Sequence, residues 1–402
     1  MNHDFLWFPE KQGARFLQGK IIMKKRFFLY SIVMFGFMVM ACVYAPRKRG
    51  RGSLSVVGAS AKRLYVDGDG KCEDIHFETA LLSGDNDDHI KTAIDLLKAG
   101  ELVAVPSETV YGLGADASNL DAVNKIFEVK KRPKDHPFII HIASFQDVPK
   151  WAKDVSPQAQ KLADAFWPGP LTMVLHRADD VNIVVTGGCD AVALRCPSDP
   201  VFSKILKLAD IGIAGPSANL HKKISTTTAA HVMKSLGGKI AAVVDGGRSV
   251  FGSESTIIDL RGDVPKILRP GPITQKEIED VLGEVIAGFA SHREAIPGNM
   301  RQHYQPITPA ALMSIDDIRK CINDNPRKWF VVIHYSDFDV EFEARCFLIP
   351  LSPDKKAYAR EMYVALHNAD DHNFEQILIE EPPLGPEWED VRDRLSKATA
   401  LL

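Results

Sequence analysis

From residue 86 onward the chain alternates short apolar runs with amphipathic stretches, and the runs close on proline, glycine or a polar residue. This rhythm constrains the fold more than any other feature. Apolar runs of about four to eight residues suit buried strands better than helices, and strands that alternate with helices make an α/β sheet with functional residues at the strand ends. "DDHIKTAIDLLKAGELVAV" shows the unit: an amphipathic helix from about His89 to Lys98, a stop at Gly100, then a strand from Leu102 to Val105. "NLDAVNKIFEVKKRP" has helical spacing and should end before Pro133, because proline disfavours helix in the residue before it. "FIIHI", "LTMVLH" and "AVALRCP" read as strands, and "SPQAQKLADAFWPG" as a helix stopped by Pro-Gly. "IGIAGPSAN", "AAVVDGG", "STIIDL" and "KILRPGPI" repeat the style.

A chain of 402 residues, 45% hydrophobic and 25% charged, is long enough for two or three domains. "SHREAIPGNMRQHYQPITPA" has no period and reads as part of a linker over 286–310. It separates a larger α/β domain, 86–285, from a smaller one over 311–402 built on "WFVVIHY", "ARCFLIPL" and "FEQILIEEPP" with two helical stretches. Residues 1–85 stand outside this pattern. There Lys24-Lys25-Arg26 precedes an uncharged stretch, 27–45, of about 19 residues, enough to span a bilayer. Basic residues flank it on both sides, so the charge rule gives no orientation. A membrane anchor, a targeting segment and a misassigned start all fit it, and 46–85 reads as a linker.

The formal net charge of −3 excludes a blanket basic surface, so any RNA contact would need a local patch. The six cysteines lack CxxC or zinc-ligand spacing and read as ordinary thiols. No Walker A motif is present: Gly68-Asp69-Gly70-Lys71 is followed by cysteine, and Lys239 by isoleucine. Gly112-Leu113-Gly114-Ala115-Asp116-Ala117 resembles a dinucleotide fingerprint, but the first glycine should turn directly off its strand and "PSETVY" intervenes.

Polar residues recur where apolar runs end: Arg195 in "ALRCP", Ser217 and Asn219 in "GPSAN", Ser255 and Thr256 in "SESTIID", Arg269 in "ILRPG". "KKRPKDH" sets Lys130, Lys131, Arg132 and Lys134 around a helix end, either as a solvated basic terminus or as a polyphosphate clamp. His141, taken alone, is a packed strand histidine, and Glu108 a capping or loop carboxylate. Together these are anion and hydroxyl ligands without an obvious nucleophile, which suits nucleotidyl transfer by positioning and charge neutralisation.

In this order "PSETVYGLG", "KKRPKDHPFIIHI", "WPGPLT", "ALRCP", "GPSAN", "STIIDL" and "LRPGPI" resemble the YrdC-like threonylcarbamoyl-AMP synthase family. "IPGNMRQHYQP" and the last domain resemble its longer two-domain form. The resemblance implies an open twisted α/β sheet around a concave cavity, with a smaller Rossmann-like C-terminal domain. It implies a nucleotidyltransferase that joins L-threonine, bicarbonate and ATP, with Mg2+ accompanying the ATP. The product, L-threonylcarbamoyladenylate, would pass to tRNA threonylcarbamoyl transferase machinery that modifies the adenosine beside the anticodon.

Carried over by position, Thr109, His141, Arg195, Ser217 and Ser255 would hold threonine, and Arg132, His136, Asn219, Thr227, Arg269 and Tyr304 would hold ATP. Lys130, Arg132 and Arg195 would stabilise developing charge. The family usually has asparagine where His136 stands and histidine where Asp199 stands, and "LHKKIS" replaces its usual Ser-Gly. A non-catalytic RNA-binding module, with tRNA or double-stranded RNA contact, is the alternative. An ATP-consuming enzyme of this kind is expected in the cytoplasm.

Overall fold

The computed structural model describes residues 78–289, 303–338, 345–372 and 374–400. All of them lie in one compact unit, Gly58–Leu402. The apolar segment 27–45 and residues 290–302 lie outside the described residues.

The large sheet takes its strands from the first two-thirds of the chain: β1 (Ala80–Ser83), β2 (Val103–Val105), β3 (Gly112–Asp116), β4 (Ile139–His141), β5 (Ala152–Lys153) and β6 (Leu171–Arg177). It is completed by β7 (Ala191–Arg195), β8 (Ile213–Ala214), β9 (Ala242–Asp245), β10 (Thr256–Asp259) and β11 (Lys266–Arg269). The order is β1-β9-β2-β3-β8-β4-β7-β6-β10-β11, with β5 beside β6. Parallel and antiparallel pairs mix: β4 runs parallel to β7, while β3 and β8 are antiparallel. Helices α1 (Asp87–Lys98), α2 (Leu120–Lys130), α3 (Pro157–Phe166), α4 (Pro200–Ala209), α5 (Ala229–Leu236) and α6 (Gln275–Leu282) cover it.

Three differences from the sequence reading have local causes. Gly112–Asp116, which the sequence reading argued was not a dinucleotide phosphate loop but did not assign to a strand, is one, because Val103–Val105 pairs with Gly112–Gly114 on one side and Ile213–Ala214 with its end on the other. Gly114 suits that place, since a Cβ there would approach the Val103 carbonyl to 3.0 Å. Ala80–Ser83, read as the end of a linker, pairs in parallel with Ala242–Asp245 as the sheet's edge strand. Pro200–Ala209, passed over in the sequence, is helical: Asp199 accepts from Val201 N and Phe202 N, Pro200 opens the first turn, and Phe202, Ile205, Leu206 and Ala209 face the core.

The smaller sheet is all parallel, β12-β15-β13-β14, from β12 (Ala310–Met313), β13 (Phe330–His334), β14 (Cys346–Pro350) and β15 (Gln376–Glu380). Helices α7 (Ile315–Asp324), α8 (Lys355–Asp371) and α9 (Glu389–Ala398) accompany it. This is the expected second, smaller α/β layer. Among the described residues no helix is long and apolar enough to cross a membrane.

Candidate active site

The ends of β4, β7 and β11 and the start of β10 open into one cavity. Thr109, Arg132, His141, Arg195, Ser217, Ser255, Arg269 and Tyr304 line it.

Arg195 anchors one wall. It is 3% exposed, and its guanidinium donates from Nη1 to Thr109 Oγ1 at 2.8 Å and from Nε to the Gly169 carbonyl at 3.2 Å. Nη2 lies 2.6 Å from Glu108 Oε1 and 3.4 Å from Ser107 Oγ, which is itself 2.8 Å from Thr109 Oγ1. His141 stands opposite Arg195 in the β4–β7 register and packs on the Phe202 ring. Burial, and then Arg195, pull the imidazole pKa down to about 3, so the ring is neutral. Its Nδ1 faces the Ile213 carbonyl at 3.3 Å. A neutral ring that donates there presents Nε2 as an acceptor. Asp199, whose charge near an anion site would be adverse, is engaged as the cap of α4.

Ser255 joins this wall to the next. Its hydroxyl is 2.8 Å from Thr172 Oγ1 and accepts from Arg269 Nη2 at 3.0 Å, while its carbonyl accepts from Arg269 Nε and Nη2. Gly271 lets this happen: a Cβ there would lie 2.3 Å from Thr256 N. Ser255 and Arg269, assigned to different substrates by the resemblance, therefore move as one piece.

The Arg132 wall is different. Arg132 donates from Nη2 to the Pro137 carbonyl at 3.0 Å and lies over the Phe138 ring, and burial lowers its pKa to about 10. Its Nε has no hydrogen-bond partner among the described residues, and neither do both ring nitrogens of His221, His303 Nδ1, the Tyr304 hydroxyl or Asn219 Oδ1. Buried polar groups are ordinarily satisfied, so these orphans are available to ligand atoms, as are the two Glu108 carboxylate oxygens beside Arg195, which also lack a hydrogen-bond partner among the described residues. His136 and His221 have ring centroids 5.5 Å apart, and His221 and His303 6.3 Å. Tyr304 sits at φ 61, a left-handed conformation uncommon for a bulky side chain, and is 1% exposed.

Four expected site residues do not line this cavity. Lys130 is 2% exposed, and its ammonium is bound by the carbonyls of Ser217 and Asn219, so it fastens the "GPSAN" loop to α2. Burial pushes its pKa well below the usual lysine range. Asn219 donates to the Leu220 and Lys223 carbonyls at 2.8 and 2.7 Å and holds the turn that brings in His221. His136 stands beside His221 on the same side as Arg132. Thr227 is fully buried, with its hydroxyl 3.5 Å from His231 Nδ1.

The sequence reading did not name Ser107, Phe138, Glu254 and His303, all of which line the cavity. Three adjoin residues it did name, which was the available signal. Glu254 owes its place to the C-terminal part. Its carboxylate accepts from Ser225 Oγ at 2.6 Å, from Tyr363 OH at 3.1 Å and from Arg394 Nε at 2.8 Å. Arg394, fully buried, also pairs with Asp393, which holds Lys397 at 2.8 Å. Burial alone would raise the Glu254 pKa, but Arg394 and Arg269 bring it below the ordinary value.

Comparison with known proteins places this geometry. A family model described as "Telomere recombination" matches residues 95–271, and one described as "Threonylcarbamoyl-AMP synthase, C-terminal domain" matches 273–400. The chain is 38% identical over 326 residues to a threonylcarbamoyl-AMP synthase of Pyrococcus abyssi, covering 77% of this chain and 94% of that one. It is 43% identical over 232 residues to that of Bacillus subtilis, covering 56% of this chain and 67% of the other. The crystal structure of P. abyssi Sua5 complexed with L-threonine superposes with a TM-score of 0.73 at 37% identity, over 80% of this chain and 97% of that one.

Proposed function

Because the chain belongs to the threonylcarbamoyl-AMP synthase family, in the form that carries the added C-terminal domain, we propose that it makes L-threonylcarbamoyladenylate from L-threonine, bicarbonate and ATP and releases pyrophosphate. The observation that carries this reading is the single cavity with two unlike walls. One presents a fixed guanidinium and a neutral imidazole, suited to an amino acid; the other presents unpaired buried groups, suited to a nucleotide.

Arg195 binds the carboxylate of threonine, and the His141 acceptor takes a hydrogen bond from its hydroxyl or amine. The amine condenses with bicarbonate, losing water, to give a carbamate. A carbamate oxygen then attacks the α-phosphorus of ATP, a new P–O bond forms, and the bond to the bridging oxygen breaks to free pyrophosphate. Arg132 and Arg269 offset the charge that builds on the phosphates. Lys130 acts on the same step through the Ser217–Asn219 loop it holds. Thr227 and His136 support the nucleotide side from behind, and Tyr304 covers it.

Among the described residues no group of three or more His, Cys, Asp or Glu is arranged to hold a metal ion. Mg2+ would enter on the triphosphate and neutralise it there. The product is a reactive mixed anhydride, so a transferase acting on the adenosine beside the tRNA anticodon must take it up promptly. We place the reaction in the cytoplasm, where both ATP and tRNA are available.

Protein supplied with ATP, Mg2+, bicarbonate and labelled threonine should yield a labelled adenylate on chromatography. Salt-sensitive RNA binding without any such adduct would instead favour the RNA-binding alternative.

A further inference from the structure

Behind the wall that holds threonine lies a carboxylate to which no step above gives a role. Glu108 is 4% exposed and faces Arg195 across 2.6 Å, with both side chains 4% exposed. Glu108 is not itself a cavity-lining residue. Its main chain is pinned as well, since Phe251 N donates to the Glu108 carbonyl at 2.7 Å. Burial opposes its ionisation, but Arg195 and the backbone N–H groups of Ser198 and Glu108 hold the carboxyl below its ordinary pKa, so it is charged at neutral pH.

A guanidinium carries five N–H donors in a rigid plane. In Arg195 one goes to Gly169 and one to Thr109, with Ser107 at the edge of reach, while Nη2 pairs with Glu108 Oε1 at 2.6 Å as an ion pair without hydrogen-bond geometry, so both Glu108 carboxylate oxygens lack a hydrogen-bond partner among the described residues. These contacts tie three of its nitrogens to the protein, one Nη1 N–H is left over, and Arg195 lines the cavity. Gly169 and Thr109 contribute only neutral acceptors. Glu108 is the one partner of opposite charge among these contacts, and it does not line the cavity.

We propose that Glu108 is a positioning residue for threonine recognition: it fixes the plane of Arg195 and neutralises its charge, leaving the guanidinium's free edge for a substrate carboxylate. The inference rests on the proposed function, since it takes threonine as the occupant of this wall. A guanidinium released from Glu108 would keep only neutral partners, Gly169, Thr109 and Ser107, and lose the charged contact that sets that alignment. Threonine would then bind more weakly while the Arg132 wall, which Glu108 does not touch, would keep its affinity for nucleotide.

The test is Glu108→Gln in the full chain, which keeps the shape and removes the charge. Threonine and ATP binding are measured separately by calorimetry, alongside KM for each substrate and the thermal midpoint. The expected result is a loss of threonine affinity on the order of tenfold, from unpairing a buried charge-assisted contact, with ATP affinity within about twofold. Glu108→Asp, which keeps the charge but withdraws it by one methylene, should show the same selective loss at smaller size, and it carries the test if the glutamine variant does not fold. Unchanged threonine affinity in either folded variant overturns the proposal, and so does an equal fall for both substrates. Wild-type protein that binds no threonine would instead overturn the proposed function.

Discussion

The two walls of the cavity are built on opposite principles. On one, Arg195, Thr109, Ser107 and His141 are all tied to protein partners before any ligand arrives. On the other, Arg132, His303 and Tyr304 keep buried polar atoms without partners among the described residues, as does His221, which stands beside His303 without lining the cavity. A small zwitterion offers few contacts, so a site for it gains from being rigid beforehand. A triphosphate offers many oxygens and can itself complete a wall left unfinished. Substitutions on the first wall should therefore damage folding and binding together, and substitutions on the second should damage binding alone.

The largest expected effect is Arg195→Ala. It removes the threonine ligand and leaves Glu108 as an unpaired buried charge, a change that typically costs about 3–5 kcal/mol of stability. Adenylate formation should vanish and the urea midpoint should fall; synthesis at the wild-type rate would break the assignment of this wall.

Acid should separate the walls next. His141 is held down to about 3 and His221 to about 4, in both cases by burial first and nearby cations second. Both lie below the unfolded value of about 6.5. Above that pH neither state binds the proton and nothing is gained or lost; as pH falls below it the unfolded chain takes up protons that the folded chain refuses, so stability is lost down toward the folded values. For fully buried His141 the loss is on the order of a few kcal/mol. A bound nucleotide should raise the His221 pKa and recover part of the loss, while leaving the His141 share intact. Denaturation midpoints between pH 7 and pH 4, with and without a non-hydrolysable ATP analogue, measure this.

Tyr304→Phe is a smaller and sharper test. It deletes an orphan hydroxyl, so stability without ligand should hold or rise slightly, while ATP affinity should fall by about 1 kcal/mol if that hydroxyl meets the nucleotide. Equal affinity would remove Tyr304 from the second wall. Smallest is His136→Asn, which restores the residue usual in the family. The imidazole is neutral at pH 7 because burial and Arg132 lower its pKa, so ATP KM should move by no more than about twofold, the scale of one exchanged neutral hydrogen bond.

The sequence revealed strands where apolar runs were unbroken, as in Phe330–His334 and Leu171–Arg177. It hid β3, because Gly112 and Gly114 read locally as loop and become strand only between nearby β2 and distant β8. In the site, residues at strand ends were legible because a strand's direction dictates where its last side chain can reach. Glu254 and His303 were legible only as neighbours of Ser255 and Tyr304, since their surroundings are assembled from Tyr363, Arg394 and Lys397, more than ninety residues away. Lys130 was legible as a charge but not as a clamp on two carbonyls, because such a bond leaves no pattern in the sequence.

Glu254 gives the two sheets a shared thermodynamic fate. One of its oxygens is held by Arg394 from α9, and its neighbour Ser255 is held by Arg269 within the cavity. Pulling α9 away would leave the Glu254 carboxylate without Arg394 in the lining of the cavity proposed to take both substrates. If the docked form binds substrate more tightly, ligand should strengthen docking to the same degree, by reciprocity. Heated without ligand, the described residues should melt in a single cooperative transition rather than one layer at a time.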